Sequence, residues 1–140
     1  MRSQSIYLEH ANITVNKIEE AVKFFKTAFP HFRIRGGGHG LREWVHLGDD
    51  DTYIAINQAK ETDVIPRKNY DSMGINHIGF VVPNVEEIAN NLLKNGYKRD
   101  FPKEEEQFRI RDYFADLDGN QYEFVQYLSD IPEERNSYGN

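Results

Sequence analysis

No cysteine occurs among the 140 residues. That absence excludes disulfide scaffolds, thiolate zinc sites, iron–sulfur clusters and cysteine nucleophiles, and it fits a reducing compartment. No apolar run approaches the roughly 20 residues of a membrane helix. Met1–Glu9 has no signal-peptide core. The expectation is a cytoplasmic protein with no membrane partner. Basic residues are the minority, 17 Lys and Arg against 23 Asp and Glu, for a net charge of −6. They form no stripe or block, so nucleic acid is not expected as a partner. What the chain does hold is aromatic content: nine Phe and eight Tyr, with 39% hydrophobic residues overall. A disordered chain lacks such residues. At this length about two-thirds of the unfolded surface can be buried, enough for a core without staples. Residues 1–140 are therefore read as a single domain.

The chain repeats itself. Leu8-Glu9-His10-Ala11-Asn12-Ile13-Thr14-Val15 matches Ile75-Asn76-His77-Ile78-Gly79-Phe80-Val81-Val82, with a histidine third in each strand-like run and an offset of 67 residues from His10 to His77. The same offset pairs Ile18-Glu19-Glu20 with Val85-Glu86-Glu87, and Phe25 with Leu92. Each run precedes a helical stripe: Ile18, Ala21, Val22, Phe25 and Ala28 in the first half, and Val85, Ile88, Ala89 and Leu92 in the second. Asn16 and Asn84 are the expected N-caps, and Pro30 and Gly96 the stops. Glu19-Glu20 and Glu86-Glu87 fall in the first turns, where the helix dipole favours them.

Strand signals follow each helix, at Phe32–Arg35, Glu43–Leu47 and Tyr53–Asn57, then at Lys98–Phe101, Phe108–Ala115 and Gln121–Tyr127. Gly36–Gly40, Gly48–Asp51 and Asp116–Asn120 read as turns. The order is βαβββ twice: module 1 at about 6–58, a linker 59–73 containing Pro66, module 2 at about 74–128, and a polar, frayed tail 129–140. One such unit buries only one face of its sheet. The fold expected is α+β: two βαβββ modules related by pseudo-twofold symmetry, with curved mixed sheets forming a central cleft and helices outside.

Alternation decides what faces that cleft. If Ala11, Ile13 and Val15 pack on the first helix, His10, Asn12 and Thr14 face away from it. By the same parity His77, Gly79 and Val81 face away from the second helix, and so does Glu123 if Tyr122 and Phe124 pack beneath it. Two histidines and one carboxylate on inward positions can hold one divalent ion, with iron(II), zinc, nickel or manganese all compatible. Open positions around such an ion would remain for a small-molecule substrate.

The runs around His10 and His77, together with Asp116-Leu117-Asp118-Gly119-Asn120-Gln121-Tyr122-Glu123-Phe124, resemble the vicinal oxygen chelate superfamily. That superfamily includes glyoxalase I, bleomycin-resistance proteins, extradiol dioxygenases, methylmalonyl-CoA epimerase and fosfomycin-resistance enzymes. The resemblance spans roughly Tyr7 to Tyr127. It implies that Glu123 is the final metal ligand beside His10 and His77. It also implies a metal-dependent enzyme, an isomerase, lyase or dioxygenase, whose ion chelates vicinal oxygens of the substrate. A homodimer is compatible with it. Fold class does not choose among these reactions. Glyoxalase I has a fourth ligand ending its first module. Here that place falls to Ala55, which speaks against lactoylglutathione lyase and leaves Asn57 and Gln58 as weak replacements. The alternative is a metal-free small-molecule or antibiotic-binding protein of the bleomycin-resistance kind.

Each singled-out residue has a plainer reading. His10 alone would be a buried structural histidine, and Glu123 alone could pair with Arg109 or Arg111 across a hairpin. His46 and Tyr113 are the acid–base candidates; His46 shares a strand face with Trp44, and both could equally be core or cleft wall. Tyr97, Tyr113 and Tyr127 could line the cleft or pack. Arg33, Arg35 and Arg111 could bind an anionic group or lie on the surface. His39 belongs to the glycine-rich turn, which is no phosphate loop. His31 reads as surface, and Asp49-Asp50-Asp51 as a solvated turn rather than a calcium loop.

Overall fold

The computed structural model describes residues 6–60 and 68–138. The chain divides into two compact units, residues 1–64 and 65–140. In the first, β1 (His10–Val15), α1 (Ile18–Ala28), β2 (Arg33–His39), β3 (Glu43–Gly48) and β4 (Tyr53–Gln58) build one four-stranded sheet in the order β1-β4-β3-β2. In the second, β5 (His77–Val81), α2 (Val85–Lys94), β6 (Lys98–Glu105), β7 (Arg109–Ala115) and β8 (Gln121–Tyr127) repeat that order as β5-β8-β7-β6, and a short α3 (Pro132–Arg135) follows. β1 runs parallel to β4 and β5 parallel to β8; the other pairs are antiparallel. The fold is α+β, built of two βαβββ modules as the repeat implies. No helix among the described residues is long and apolar enough to cross a membrane.

The helical stripes bury as their spacing requires. Val85, Ile88, Ala89 and Leu92 are the buried residues of α2, which packs on β6, β7 and β8 over Phe114, Tyr122 and Phe124. α1 buries Ala21, Phe24, Phe25 and Ala28 against β3 and β4; Phe24 lies outside the expected stripe, and Ile18 and Val22 of that stripe are only half-buried. Each Val, Ile, Leu or Phe side chain among them contributes about 1.5–3 kcal/mol on burial. In the second module Asp112 on β7 is fully buried, and Arg99 answers it with Nε 3.0 Å and Nη2 2.9 Å from its two oxygens.

The helix starts differ from each other in an informative way. Asn84 caps α2 by accepting from Glu87 N at 3.1 Å, as its position suggests. Asn16 does not cap α1: the N-cap is Lys17, with no side-chain bond of its own. The missing acceptor comes from the neighbouring strand, where Gln58 Oε1 takes the Ile18 N–H at 3.2 Å. Gln126 does the same for Val85 N at 3.0 Å in the second module. Gln58 is thus a helix cap rather than a ligand.

Two further expectations are corrected. Gly36–Gly40 is not a turn; β2 runs on to His39, and the reversal lies at residues 40–42. Two of the glycines make room for Trp44, Gly38 for its indole and Gly37 for its backbone carbonyl. A Cβ at Gly38 would meet that ring at 3.2–3.3 Å, and one at Gly37 would sit 2.9 Å from Trp44 O. The polar tail also carries structure among the described residues: α3 forms, the Arg135 guanidinium lies 4.4 Å over the Tyr127 ring, and Arg109 lies 5.3 Å over Tyr138. Of the linker, residues 61–67 with Pro66 lie outside the described residues. Lys68–Ser72 forms a tight turn in which Ser72 N donates to Lys68 O at 2.8 Å and Tyr70 takes φ 73°.

Candidate functional site

In the second module β8 lies between β5 and β7. Glu123 therefore has Gly79 on one side and Tyr113 on the other. Tyr122 and Phe124 point to the helix and are buried, so Glu123 points the opposite way, as does His77 on β5. The two meet: His77 Nε2 is 3.0 Å from Glu123 Oε2. Both are largely shielded, with side chains 29% and 13% exposed. Gly79 keeps the space beside them open, since its missing Cβ would lie 3.8 Å from Glu123 Oε2.

Three groups surround this pair. Tyr113 lies beside Glu123 across the β7–β8 pairing, and its proton is held until about pH 12, first by burial and then by the Glu123 charge. The Tyr113 ring stands edge-on to His77 at 5.9 Å. Arg111 Nη1 approaches the other carboxylate oxygen at 3.9 Å, while its guanidinium is chiefly engaged by Glu104 and Glu106, and its buried Nε has no partner. Behind His77, Tyr70 contacts Nδ1 at 3.2 Å. Arg109 is taken by Glu106 and does not pair with Glu123.

The first module gathers its polar aromatics on the face opposite α1. Tyr53 is sandwiched, with the His10 ring stacked on it at 4.7 Å and the His46 ring at 4.6 Å. Trp44 continues the row 4.9 Å from His46, and the Arg35 guanidinium sits 4.4 Å over Tyr53. Arg35 reaches there because the β2–β3 register slips between Ile34 and Gly36. His10 Nδ1 is held by Glu9 Oε1 at 2.9 Å. Burial, then the His10 and Arg35 charges, push His46 below the ordinary histidine range. Ala55, opposite Asn12 and His46, is buried and offers no donor.

Of the sequence-derived candidates, then, His77, Glu123 and Tyr113 come together in one module, and His10 joins His46 in the other. Within neither unit do three or more His, Asp or Glu among the described residues gather as a metal-holding group. Tyr97 is core, buried at 6% exposure. Arg33 pairs with Asp50 on the surface, and His31, 63% exposed, lies by Asp49. His39 is exposed beside Glu43. Tyr53, Tyr70 and Gln121 are the contributors that composition and spacing did not single out. Parity alone could have found Gln121, which lies two residues from Glu123 on the same strand face.

The donor chemistry fits a divalent ion. Nitrogen and oxygen donors bonded to one ion at about 2.1 Å and at right angles lie about 3 Å apart, and His77 Nε2 and Glu123 Oε2 have that separation. These two residues would form part of a ligand set, with Gly79 leaving room beside them.

No curated protein matches the chain in sequence. Solved structures do match in fold. A glyoxylase/bleomycin resistance protein/dioxygenase domain from Frankia sp. EAN1pec superposes with a TM-score of 0.74 at 16% identity, covering 89% of this chain and 99% of that one. The genomically encoded fosfomycin resistance protein FosX from Listeria monocytogenes gives 0.70 at 19% identity, with 94% and 99% covered. Its E126Q mutant, complexed with Mn(II) and 1S,2S-dihydroxypropylphosphonic acid, gives 0.69 at 18%, with 92% and 96% covered. The family model for the Glyoxalase/Bleomycin resistance protein/Dioxygenase superfamily matches residues 7–124, and the chain belongs to that superfamily.

Proposed function

We propose that the protein is a metal-dependent small-molecule enzyme holding one divalent ion through His10, His77 and Glu123. His10 would come from the same chain or from a second copy in a homodimer. The observation that carries this reading is the 3.0 Å approach of His77 Nε2 to Glu123 Oε2, two partly shielded donors beside a residue without a side chain. The FosX mutant complex supports it by analogy: there Mn(II) accompanies a diol with two adjacent oxygens.

A bound ion would supply Lewis acidity toward vicinal oxygens of the substrate. The chain's own groups supply the rest. Tyr113, which keeps its proton to about pH 12, donates a hydrogen bond and can serve as an acid but not as a base. His46, held below the ordinary histidine range, is neutral at pH 7 and can take a proton at a ring nitrogen. The Tyr53–His10–His46–Trp44 row offers flat surfaces for an apolar substrate part, and Arg35 above it offers a positive charge for an anionic one. Ala55 argues against lactoylglutathione lyase chemistry within this class.

A second reading rests on that same aromatic row: a metal-free binder of small molecules. Calorimetric titration of the purified chain with Mn(II), zinc, nickel and iron(II) separates the two. About one ion per chain, lost in Glu123→Gln and His77→Gln, is the expected result. No binding tighter than millimolar for any of them would leave the binder reading in place.

A further inference from the structure

His77 is held on both ring nitrogens, and the side away from Glu123 fixes a proton on Nδ1. Asp100 on β6 offers only acceptor oxygens. Gln121 Nε2 donates to Asp100 Oδ2 at 2.7 Å. The other end of that amide, Oε1, is therefore the atom turned to Tyr70, and Oε1 cannot donate. The single Tyr70 proton goes to Gln121. The Tyr70 oxygen, 3.2 Å from His77 Nδ1, is left with lone pairs, so the hydrogen of that contact must sit on Nδ1. The other nitrogen, Nε2, faces Glu123 Oε2 at 3.0 Å, where a proton on Nε2 is shared with the carboxylate unless an ion takes its place.

We propose that Tyr70 is a positioning residue: through the hydrogen-bond chain Asp100–Gln121–Tyr70–His77 it keeps a proton on His77 Nδ1 and turns Nε2 toward Glu123. The use of that arrangement rests on the metal reading above, because with Nδ1–H held by Tyr70 it is Nε2 that can give up its proton to an ion lying against Glu123. The protein has gone out of its way to place Tyr70. Its φ of 73° is a conformation that glycine takes freely and bulky residues rarely adopt. The turn is pinned by Asn76 Oδ1 accepting Tyr70 N–H at 2.8 Å and by Ser72 Oγ accepting Lys68 N–H at 3.1 Å. The ring rests against Phe101, 5.8 Å between centroids. Such strain persists where the surroundings over-determine it, and what this placement secures is the hydroxyl between Gln121 and His77.

The test is nitrogen-15 NMR of the imidazoles in the full, metal-free chain at pH 8, with His77 assigned by His77→Gln. The expected spectrum has Nδ1 protonated in the wild type. In Tyr70→Phe the Nδ1 proton is lost and Nε2 keeps the one it donates to Glu123, and Mn(II) affinity falls by about ten-fold or more, the usual effect of losing the partner that orients a ligand histidine. A wild-type Nδ1 without a proton, or an Nδ1 unchanged in Tyr70→Phe, overturns the proposal. Should Tyr70→Phe not fold, Asp100→Asn, at an exposed position, frees the Gln121 amide to turn over; mixed tautomers are then expected, and an unchanged tautomer overturns the proposal equally. A tautomer that follows Tyr70 in a chain that binds no Mn(II), zinc, nickel or iron(II) supports the positioning role and removes the metal reading alone.

Discussion

Ala55 occupies in the first module the position that Glu123 occupies in the second. Ala55 pairs with Asn12 and His46, Glu123 with Gly79 and Tyr113, at matching places in the two sheets. The duplicated scaffold has thus kept a carboxylate in one module only. Substitution at the two positions should have opposite consequences. Glu123→Gln is expected to weaken divalent-ion binding ten-fold or more with little change in melting temperature, since a half-shielded side chain keeps its shape. Ala55→Gln overpacks a buried site and is expected to cost about 1–3 kcal/mol with ion binding unchanged. Calorimetry and urea unfolding on both variants check this; equal loss of ion binding in the two would contradict the asymmetry.

The helix-capping glutamines give a second comparison across the repeat. Gln58 and Gln126 each accept the first backbone N–H of the helix in their own module, at 3.2 and 3.0 Å. Losing such a cap costs about 0.5–2 kcal/mol. α2 keeps a second cap in Asn84, whereas α1 has none from its own N-cap residue. Gln58→Ala should therefore destabilise more than Gln126→Ala, read as the shift in urea midpoint. The reverse order would mean that the strand-borne caps do not set the helix starts.

Those glutamines mark what was and was not legible in the chain. The βαβββ order, the stripe on α2 and the inward parity of His77 and Glu123 all follow from periods of 3.6 and 2, which reflect local geometry and survive in sequence. Gln58 lay in view, but its partner, Ile18, is 40 residues away, and no local pattern reports such a contact. Tyr70 was hidden for the same reason, sitting in a stretch without periodicity. Gly36–Gly38 misled because glycine punctuates turns more often than strands; Trp44, brought across by the β2–β3 pairing, explains Gly37 through its backbone carbonyl and Gly38 through its indole. The approach of His77 to Glu123 was legible as a shared face, whereas its distance and the Tyr113 contact depend on rotamers that no spacing encodes.

The glycine run itself can be tested. At Gly37 an added Cβ would lie 2.9 Å from Trp44 O and 3.3 Å from Val45, whereas at Gly36 nothing lies within 4 Å. Gly37→Ala is expected to destabilise by about 1–3 kcal/mol, the scale of strain in a packed position. Gly36→Ala should be neutral or stabilise by up to about 1 kcal/mol, by restricting the unfolded chain. Tryptophan fluorescence should shift in Gly37→Ala and Gly38→Ala and stay unchanged in Gly36→Ala. A floppy hairpin tip would tolerate all three alike.

The Glu106 turn predicts a pH dependence with a definite sign. Arg109 and Arg111 both donate to the Glu106 carboxylate. The Arg109 hydrogen bond is the largest influence, partial burial opposes it, the Arg111 bond and charge add to it, and the net effect holds the carboxylate below the usual glutamate range. A carboxylate depressed in the folded state contributes stability above its unfolded pKa of about 4.3. It loses that contribution as pH falls through the folded value, because the unfolded chain takes the proton first. Glu106 is 37% exposed, so screening keeps the effect to about 0–1 kcal/mol. Urea unfolding of wild type and Glu106→Gln should therefore differ at pH 7, with the wild type more stable, and converge as pH falls through the folded value. A difference that persists or grows on acidification would place the stabilisation of this turn elsewhere, in the Glu106 N–H to Arg109 O bond at 2.9 Å rather than in the carboxylate.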